Sequence, residues 1–140
     1  MTKTLAIVLT AGISLLATAP AWGHHAFAAE FDSEKPVKFK GTVTKMEWIN
    51  PHAWIHIDVK NEDGTTTEWM IEAAAPNSLL RRGWTKNSLP AGTEIVVEGF
   101  QAKDASNRAN GSVITFTDGK KLFVGSNAGE PGAAPTAPPK

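Results

Sequence analysis

The strict alternation of apolar and polar side chains from Trp54 to Val59 is the feature that most narrows the possible folds. Its two sets of alternating positions are Ile55, Ile57 and Val59 on one side and Trp54, His56 and Asp58 on the other. Successive side chains of a strand point to opposite faces, so this run predicts a half-buried β-strand. An Asp-Gly turn signal at 61–64 and a second β-prone run at 66–73 follow, and together they predict a hairpin.

A strand is also predicted upstream, over 37–49, where β-branched and aromatic residues are frequent. The apolar positions of this run change parity, from Phe39 and Val43 to Met46 and Trp48. One extra residue in the strand would explain the change, so a β-bulge is expected near 44–45.

Downstream of the hairpin, the sequence predicts one short helix and three more strands. The helix is expected over 77–83, with Leu79 and Leu80 facing the core and Gly83 as its left-handed cap. The strands are expected at 93–102, 113–116 and 121–124, and the polar segment 104–111 is expected to be a loop.

Five or six short strands with one helix after the third strand indicate an all-β domain. The expected fold is a small antiparallel five- to six-stranded OB-like β-barrel, and a β-sandwich is the alternative. The residues expected to face inward are Ile55, Ile57, Val59, Ile71, Ile95 and Val97.

Both ends of the chain differ in composition from the middle. Residues 1–23 combine a basic start, an apolar run and small residues at cleavage spacing, which is the pattern of a secretory signal peptide. The apolar run is too short and too interrupted for a membrane-spanning helix. Residues 127–140 are rich in Pro, Ala and Gly and predict a disordered tail. A single barrel domain is therefore expected at 24–126, exported to the periplasm.

The composition excludes several classes of function. The chain has no cysteine, which excludes disulfides, thiolate zinc sites and cysteine nucleophiles. Its 14 basic residues are balanced by 14 acidic ones, which argues against nucleic-acid binding. No nucleophile elbow or phosphate loop is present, so no enzymatic activity is expected. Glu68 and Glu72 on one strand could be paired carboxylates, but exposed charges on a solvent face explain them equally well.

Four sequence motifs follow one another along the chain, and together they identify a protein family more specifically than any one motif does. They are His-His-Ala-Phe-Ala-Ala-Glu-Phe-Asp at 24–32, Asn-Pro-His-Ala-Trp-Ile-His at 50–56, Pro-Asn-Ser-Leu-Leu-Arg-Arg-Gly-Trp at 76–84 and Ala-Lys-Asp-Ala-Ser-Asn-Arg at 102–108. From about His24 to Val124 the chain resembles a family of small exported bacterial proteins classed only as a domain of unknown function. The resemblance implies periplasmic export, cleavage directly before the histidine pair and a compact barrel-like domain, and it implies no reaction.

The candidate metal ligands are the four histidines His24, His25, His52 and His56. Cleavage after Gly23 would leave His24 with a free α-amino group, and an amine and an imidazole can chelate one ion. Cleavage after Ala21 would instead place His24 third, where the amine, two amides and the imidazole can surround a square-planar ion. Nitrogen-rich tetragonal sites suit Cu(II), so copper is the expected cofactor.

The positions of His52 and His56 argue against one ion shared by these two residues alone. Four residues of straight strand span about 13 Å, so such sharing would need a bend after Pro51. Another possibility is that His25 folds over to join one of them. The simplest interpretation is that His52 hydrogen-bonds a turn and His56 lies on the outer face.

The sequence therefore supports two functional hypotheses. The first is a non-catalytic periplasmic metal-binding protein, with copper as the expected metal, that uses His24 and His25 with help from His52 or His56. The second is an accessory binding module whose aromatic face, including Trp48, Trp54 and Trp84, contacts an unknown periplasmic protein or a small apolar ligand. Met46 and Trp69 are expected to fill the core.

Overall fold

The structure of the chain, a computed structural model, describes residues 27–125. Its elements are β1 (Phe31–Glu47), β2 (Trp54–Lys60), β3 (Thr66–Glu72), α1 (Pro76–Arg81), β4 (Glu94–Ala102), β5 (Arg108–Phe116) and β6 (Lys121–Phe123). Residues 27–30, ahead of β1, are helical. The predicted signal peptide, the histidine pair at 24–25 and the predicted tail at 127–140 lie outside the described residues.

The strands form one hydrogen-bonded ring. β1 pairs antiparallel with β2 and β4, β2 pairs with β3, and β4 pairs with β5. The ring is closed by a parallel pairing of β3 with β5, and β6 is added against the free edge of β5. A closed five-stranded ring with a helix after its third strand is the OB-like arrangement. The expected small all-β barrel is therefore confirmed.

The predicted bulge lies in β1. The register of β1 against β2 shifts between Val43, which is paired with Ile57, and Lys45, which is paired with His56. One residue of β1 is therefore left without a partner, and side chains beyond it change face. This change keeps Met46 opposite Ile55 on the inner face and turns Glu47 outward.

The core is made by the inward positions that the alternation predicted. Five of the six expected residues are fully buried and Val59 is partly buried, the five being Ile55, Ile57, Ile71, Ile95 and Val97. Met46 and Trp69 are partly buried and pack against this cluster, as expected.

Trp84 does not lie on the surface, where it was expected as part of the aromatic face. Its side chain is fully buried in the core cluster, and its indole N–H donates a hydrogen bond of 3.1 Å to the carbonyl oxygen of Phe123. The residue follows α1, whose Leu79 is buried. Trp84 thus fills the space between the helix and β6, because its polar atom finds a main-chain partner there.

Helix α1 differs from the expectation at one residue. Pro76 occupies its first turn and Gly83 follows it with φ of 85°, as the sequence indicates. Leu80, expected to face the core, is exposed. A helix of six residues presents only one narrow stripe to the barrel, and Leu79 occupies that stripe.

β5 begins five residues earlier than expected. Residues 108–111 were expected in a loop, but they belong to β5. Residues 108–110 pair in parallel with β3, with Ala109 opposite Ile71 and Asn110 opposite Glu72. Small residues are needed here because the strands approach closely: a Cβ added to Gly111 would lie 2.7 Å from Cγ2 of Ile71. The sequence of this segment lacks the alternation of apolar and polar residues that predicts a strand. It forms a strand because its pairing with β3 closes the barrel.

Candidate functional site

The outward side of β2 and β3 gathers histidine, tryptophan, methionine and carboxylate side chains. Since Ile55 and Ile57 point inward, Trp54 and His56 point outward. The pairing of the strands places Glu72 opposite Trp54 and Met70 opposite His56. We call this surface the histidine face, and its residues are Glu47, His52, Trp54, His56, Glu68, Met70 and Glu72.

His56 is held between two carboxylates that come from different strands. Its Nδ1 lies 3.3 Å from Oε1 of Glu68 on β3, and its Nε2 lies 3.6 Å from Oε2 of Glu47 on β1. Only 13% of the His56 side chain is exposed. Each ring nitrogen therefore faces an acidic partner, and the buried Nε2 makes no hydrogen bond to a described residue.

The electrostatics of Glu47 follow from the same neighbourhood. The Lys45 ammonium, which donates a hydrogen bond to the Glu47 carboxylate, lowers the pKa of Glu47, and the nearby His56 acts in the same direction. An ionised Glu47 is thereby favoured near neutral pH.

His52 has a different environment, in which one nitrogen faces a buried acid. Its Nδ1 lies 3.4 Å from Oε1 of Glu72, whose side chain is only 9% exposed. The same oxygen accepts a hydrogen bond of 3.3 Å from Nδ2 of Asn110. The side chain of His52 is 32% exposed. The ring is thus held from the Nδ1 side, and Nε2 is the nitrogen left for another partner.

The two histidines of the histidine face contact different carboxylates. His52 contacts Glu72, whereas His56 lies between Glu47 and Glu68. Within residues 27–125, no group of three or more His, Cys, Asp or Glu side chains is arranged to hold a metal ion. The other two predicted metal ligands, His24 and His25, precede the described part of the chain.

The described chain starts against the outer surface of the barrel. The ring of Phe27 lies edge-on to the ring of Phe100 on β4, with 5.8 Å between centroids. The backbone N–H of Lys103 donates a hydrogen bond of 2.9 Å to the carbonyl oxygen of Glu30, and the Lys103 ammonium donates to that of Ala28. Residues 27–30 are therefore attached to the barrel by apolar and polar contacts.

One row of paired residues connects this attachment point to the histidine face. Phe100 lies opposite Asn110, and Asn110 lies opposite Glu72. Directly paired residues of neighbouring strands point to the same face, and the strands are about 4.8 Å apart. The attachment point is thus about two strand spacings, or roughly 10 Å, from Glu72.

Of the predicted aromatic surface, two tryptophans remain. Trp48 and Trp54 are half-buried, and Trp48 packs partly against the core. Ile49, next to Trp48 in the β1–β2 loop, is 50% exposed.

Sequence reasoning missed the roles of Glu72 and Asn110. The alternation of β3 places Glu72 outward, which suggested a solvent-exposed charge, and Asn110 was assigned to a loop. Their burial depends on the pairing of β3 with β5, which brings together residues 38 positions apart. The polar sequence Asn-Arg-Ala-Asn at 107–110 contains no pattern from which this contact could be predicted.

The fold and the site define a small all-β barrel protein whose polar cluster lies outside the barrel wall. The chain belongs to the Family of unknown function DUF6152, whose model matches residues 13–111. That range contains all four histidines together with Glu72 and Asn110. Searches of curated proteins and of solved structures find no match. None of the helices within residues 27–125 has the length and apolar character needed to cross a membrane.

Proposed function

We propose that this protein binds one copper ion in the periplasm without catalysing a reaction. The proposed ligands are the α-amino group and side chain of His24, the side chain of His25 and one histidine of the barrel. The proposal assumes that the signal peptide is cleaved before His24, which leaves the amine and the imidazole on the same residue.

The attachment of residues 27–30 to the barrel is the observation that carries the proposal. Phe27, packed on Phe100, is only three residues after His24. Three residues of extended chain span at most about 11 Å. With Phe27 on Phe100, a metal ion bound at residue 24 would come within reach of ligands on the barrel and would not depend on the terminus alone.

Copper is the metal that this set of donors favours. The proposed site offers an amine and imidazole nitrogens, and the sequence has no cysteine to supply thiolate. For nitrogen donors, affinity rises through the first-row divalent metals to Cu(II) and falls again at Zn(II).

Calorimetric titration of the exported, mature protein tests the proposal. One equivalent of Cu(II) should bind, more tightly than Zn(II), and affinity should fall as pH decreases through about 6.5, where imidazole takes up a proton. A variant without His24 and His25 should lose this binding and keep its circular dichroism spectrum. One extra residue before His24 separates the amine from the imidazole and should weaken binding. Equal copper affinity with and without the histidine pair would contradict the proposal.

A second candidate function is a docking module that uses the rim of the β1–β2 loop. The exposed Ile49 beside the half-buried Trp48 and Trp54 favours it, because exposed apolar side chains next to aromatic rings are common in binding surfaces. If neither form of the protein binds copper, this surface becomes the main candidate. The matching test is whether Ile49→Ser and Trp54→Ala abolish association with periplasmic proteins in cross-linking.

A further inference from the structure

We propose that the histidine face holds a second metal site, in which Nε2 of His56 and a carboxylate oxygen of Glu47 bind one Zn(II) ion in tetrahedral coordination. This inference goes beyond the proposed function. It uses residues of the barrel wall alone, so it would stand even if the amino terminus bound no copper.

The ring nitrogen Nε2 of His56 is a buried atom that makes no hydrogen bond to a described residue. It faces Oε2 of Glu47 across 3.6 Å, which is longer than the usual hydrogen-bond range of about 2.7–3.2 Å. A buried polar atom without a partner is costly and rare in native proteins. A group that binds both His56 and Glu47 would remove this cost.

The contact on the other side of the ring determines which nitrogen of His56 carries the proton. Nδ1 lies 3.3 Å from Oε1 of Glu68, and an ionised carboxylate can only accept, so the Nδ1–H donates to Glu68. In the neutral ring, Nε2 then directs its lone pair toward the carboxylate of Glu47. A cation between the two groups turns this repulsion into binding. A histidine that donates one N–H to a carboxylate and offers its other nitrogen is the usual form of a metal ligand.

The distance between the two donor atoms indicates the coordination geometry. Zinc binds imidazole nitrogen at about 2.0–2.1 Å and carboxylate oxygen at about 2.0–2.2 Å. At a tetrahedral angle two such ligands are about 3.4 Å apart, whereas neighbouring ligands of a square-planar Cu(II) ion are about 2.9 Å apart. The 3.6 Å between Nε2 of His56 and Oε2 of Glu47 is closer to the tetrahedral value. The barrel site therefore favours Zn(II), unlike the proposed terminal copper site.

The local charge also favours a divalent cation. Glu47 and Glu68 contribute two negative charges, and Lys45, which donates to Oε1 of Glu47, contributes one positive charge. Among residues 27–125 no third His, Cys, Asp or Glu completes a metal-binding group, so water would fill the remaining positions. We therefore expect weaker binding than at a structural zinc site with four protein ligands.

Zinc titration of the mature protein that carries His24→Ala and His25→Ala tests the site, because these substitutions remove the proposed terminal side-chain ligands. Calorimetry should show one equivalent of Zn(II). In this background His56→Gln and Glu47→Gln should each lower zinc affinity at least about tenfold. Glu98→Gln is the matched control, since Glu98 also pairs with a lysine but lies on β4, and it should bind within about threefold.

Two further variants separate ligation from a general effect on the fold. Lys45→Gln should raise zinc affinity, because it removes the ammonium that competes for Glu47, whereas a damaged fold would lower it. Nitrogen NMR of the His56 imidazole should show the proton on Nδ1 before zinc is added and zinc on Nε2 afterwards. In Glu68→Ala this preference for the Nδ1–H form should be lost, and affinity should fall by about 10–100-fold.

The inference is wrong if Zn(II) does not bind, or if it binds His56→Gln as tightly as it binds the parent variant. A proton on Nε2 would then be enough to join His56 to Glu47. Neither result affects the proposed copper site, which is tested with the histidine pair in place. Failure of that copper titration likewise leaves the zinc site standing.

Discussion

Ile57 shows how tightly single side chains are enclosed by the barrel wall. It is fully buried, and a Cβ added to Gly41 on the neighbouring strand would lie 2.8 Å from its Cδ1. Ile57 is paired with Val43 of β1, and the backbone of β1 at Gly41 also approaches its side chain closely. The position has no room for a different packing of the same atoms.

Ile57→Ala should therefore destabilise the protein by about 2–5 kcal/mol, because it removes buried methyl groups and leaves a cavity. The free energy of unfolding in urea measures the effect. Ile49→Ala is the matched control, since Ile49 is half exposed and its truncation should change stability by less than about 0.5 kcal/mol. If Ile57→Ala changes the free energy of unfolding as little as Ile49→Ala does, Ile57 does not face the core and the two faces of β2 are reversed.

The alternation of apolar residues identifies positions such as Ile57 but not the polar residues that become buried. Period-two alternation assigns Glu72 to the outer face correctly, and nothing local shows that this part of the outer face is covered. Asn110 and Trp84 were misassigned for the same reason. Their surroundings consist of residues distant in sequence, which a pattern within one strand does not contain.

At the level of elements, β4 and β5 approach each other closely at Gly99 and Asn110. A Cβ added to Gly99 would lie 2.1 Å from the carbonyl oxygen of Asn110, well inside any allowed contact. The register of the two strands shifts at this point, between Glu98 and Gly99. Gly99 thus permits the irregularity that brings residues 108–110 to β3.

Gly99→Ala should push β4 and β5 apart, because the added Cβ would clash with a main-chain oxygen that cannot move aside as a side chain can. The loss of stability should exceed the usual cost of overpacking, which is about 1–3 kcal/mol. Gly83→Ala is a useful comparison. A Cβ at Gly83 meets nothing within 4 Å, and only its left-handed conformation opposes the change, at about 1–2 kcal/mol. Urea midpoints that rank the two variants in the opposite order would refute this explanation of the strand junction.

Elements with a strong local signal were predicted well. The bulge near 44–45, the turn at 61–64 and the cap at Gly83 each follow from residues adjacent in sequence. The start of β5 was missed because strand formation at 108–111 depends on the edge of β3. A six-residue helix also carries too little periodicity to tell Leu79 from Leu80.

For the molecule as a whole, acid sensitivity follows from exposed acids that the fold stabilises in their ionised form. The hydroxyl group of Ser106 donates to Asp104 at 2.6 Å and its backbone N–H at 3.0 Å, and these bonds lower the pKa of Asp104. Thr65 lowers the pKa of Asp63 in the same way. Because the pKa is lower in the folded state, the unfolded state takes up the proton first.

The stabilisation by Asp104 should be complete above the pKa of an unfolded aspartate, about 4, and should be lost as pH falls through the lower folded-state value. Urea unfolding measured from neutral to strongly acidic pH should therefore show a smaller decline for Asp104→Asn than for the wild type. Ser106→Ala should also reduce the decline, since it removes the hydroxyl donor. Parallel curves for all three proteins would disprove this role of Asp104.

The parallel pairing of β3 with β5 also has a kinetic consequence. The ring closes only when Asn110 meets Glu72, and these residues are 38 positions apart. The chain loses conformational entropy when this loop closes, before the contacts between β3 and β5 can stabilise it. Contacts between residues so distant in sequence slow folding, and we expect the millisecond-to-second range that is typical of small barrels. Until residues 108–110 pair with β3, the edge of β3 is open to other chains. The last long strand of the sequence is therefore the one that protects the folding molecule from self-association.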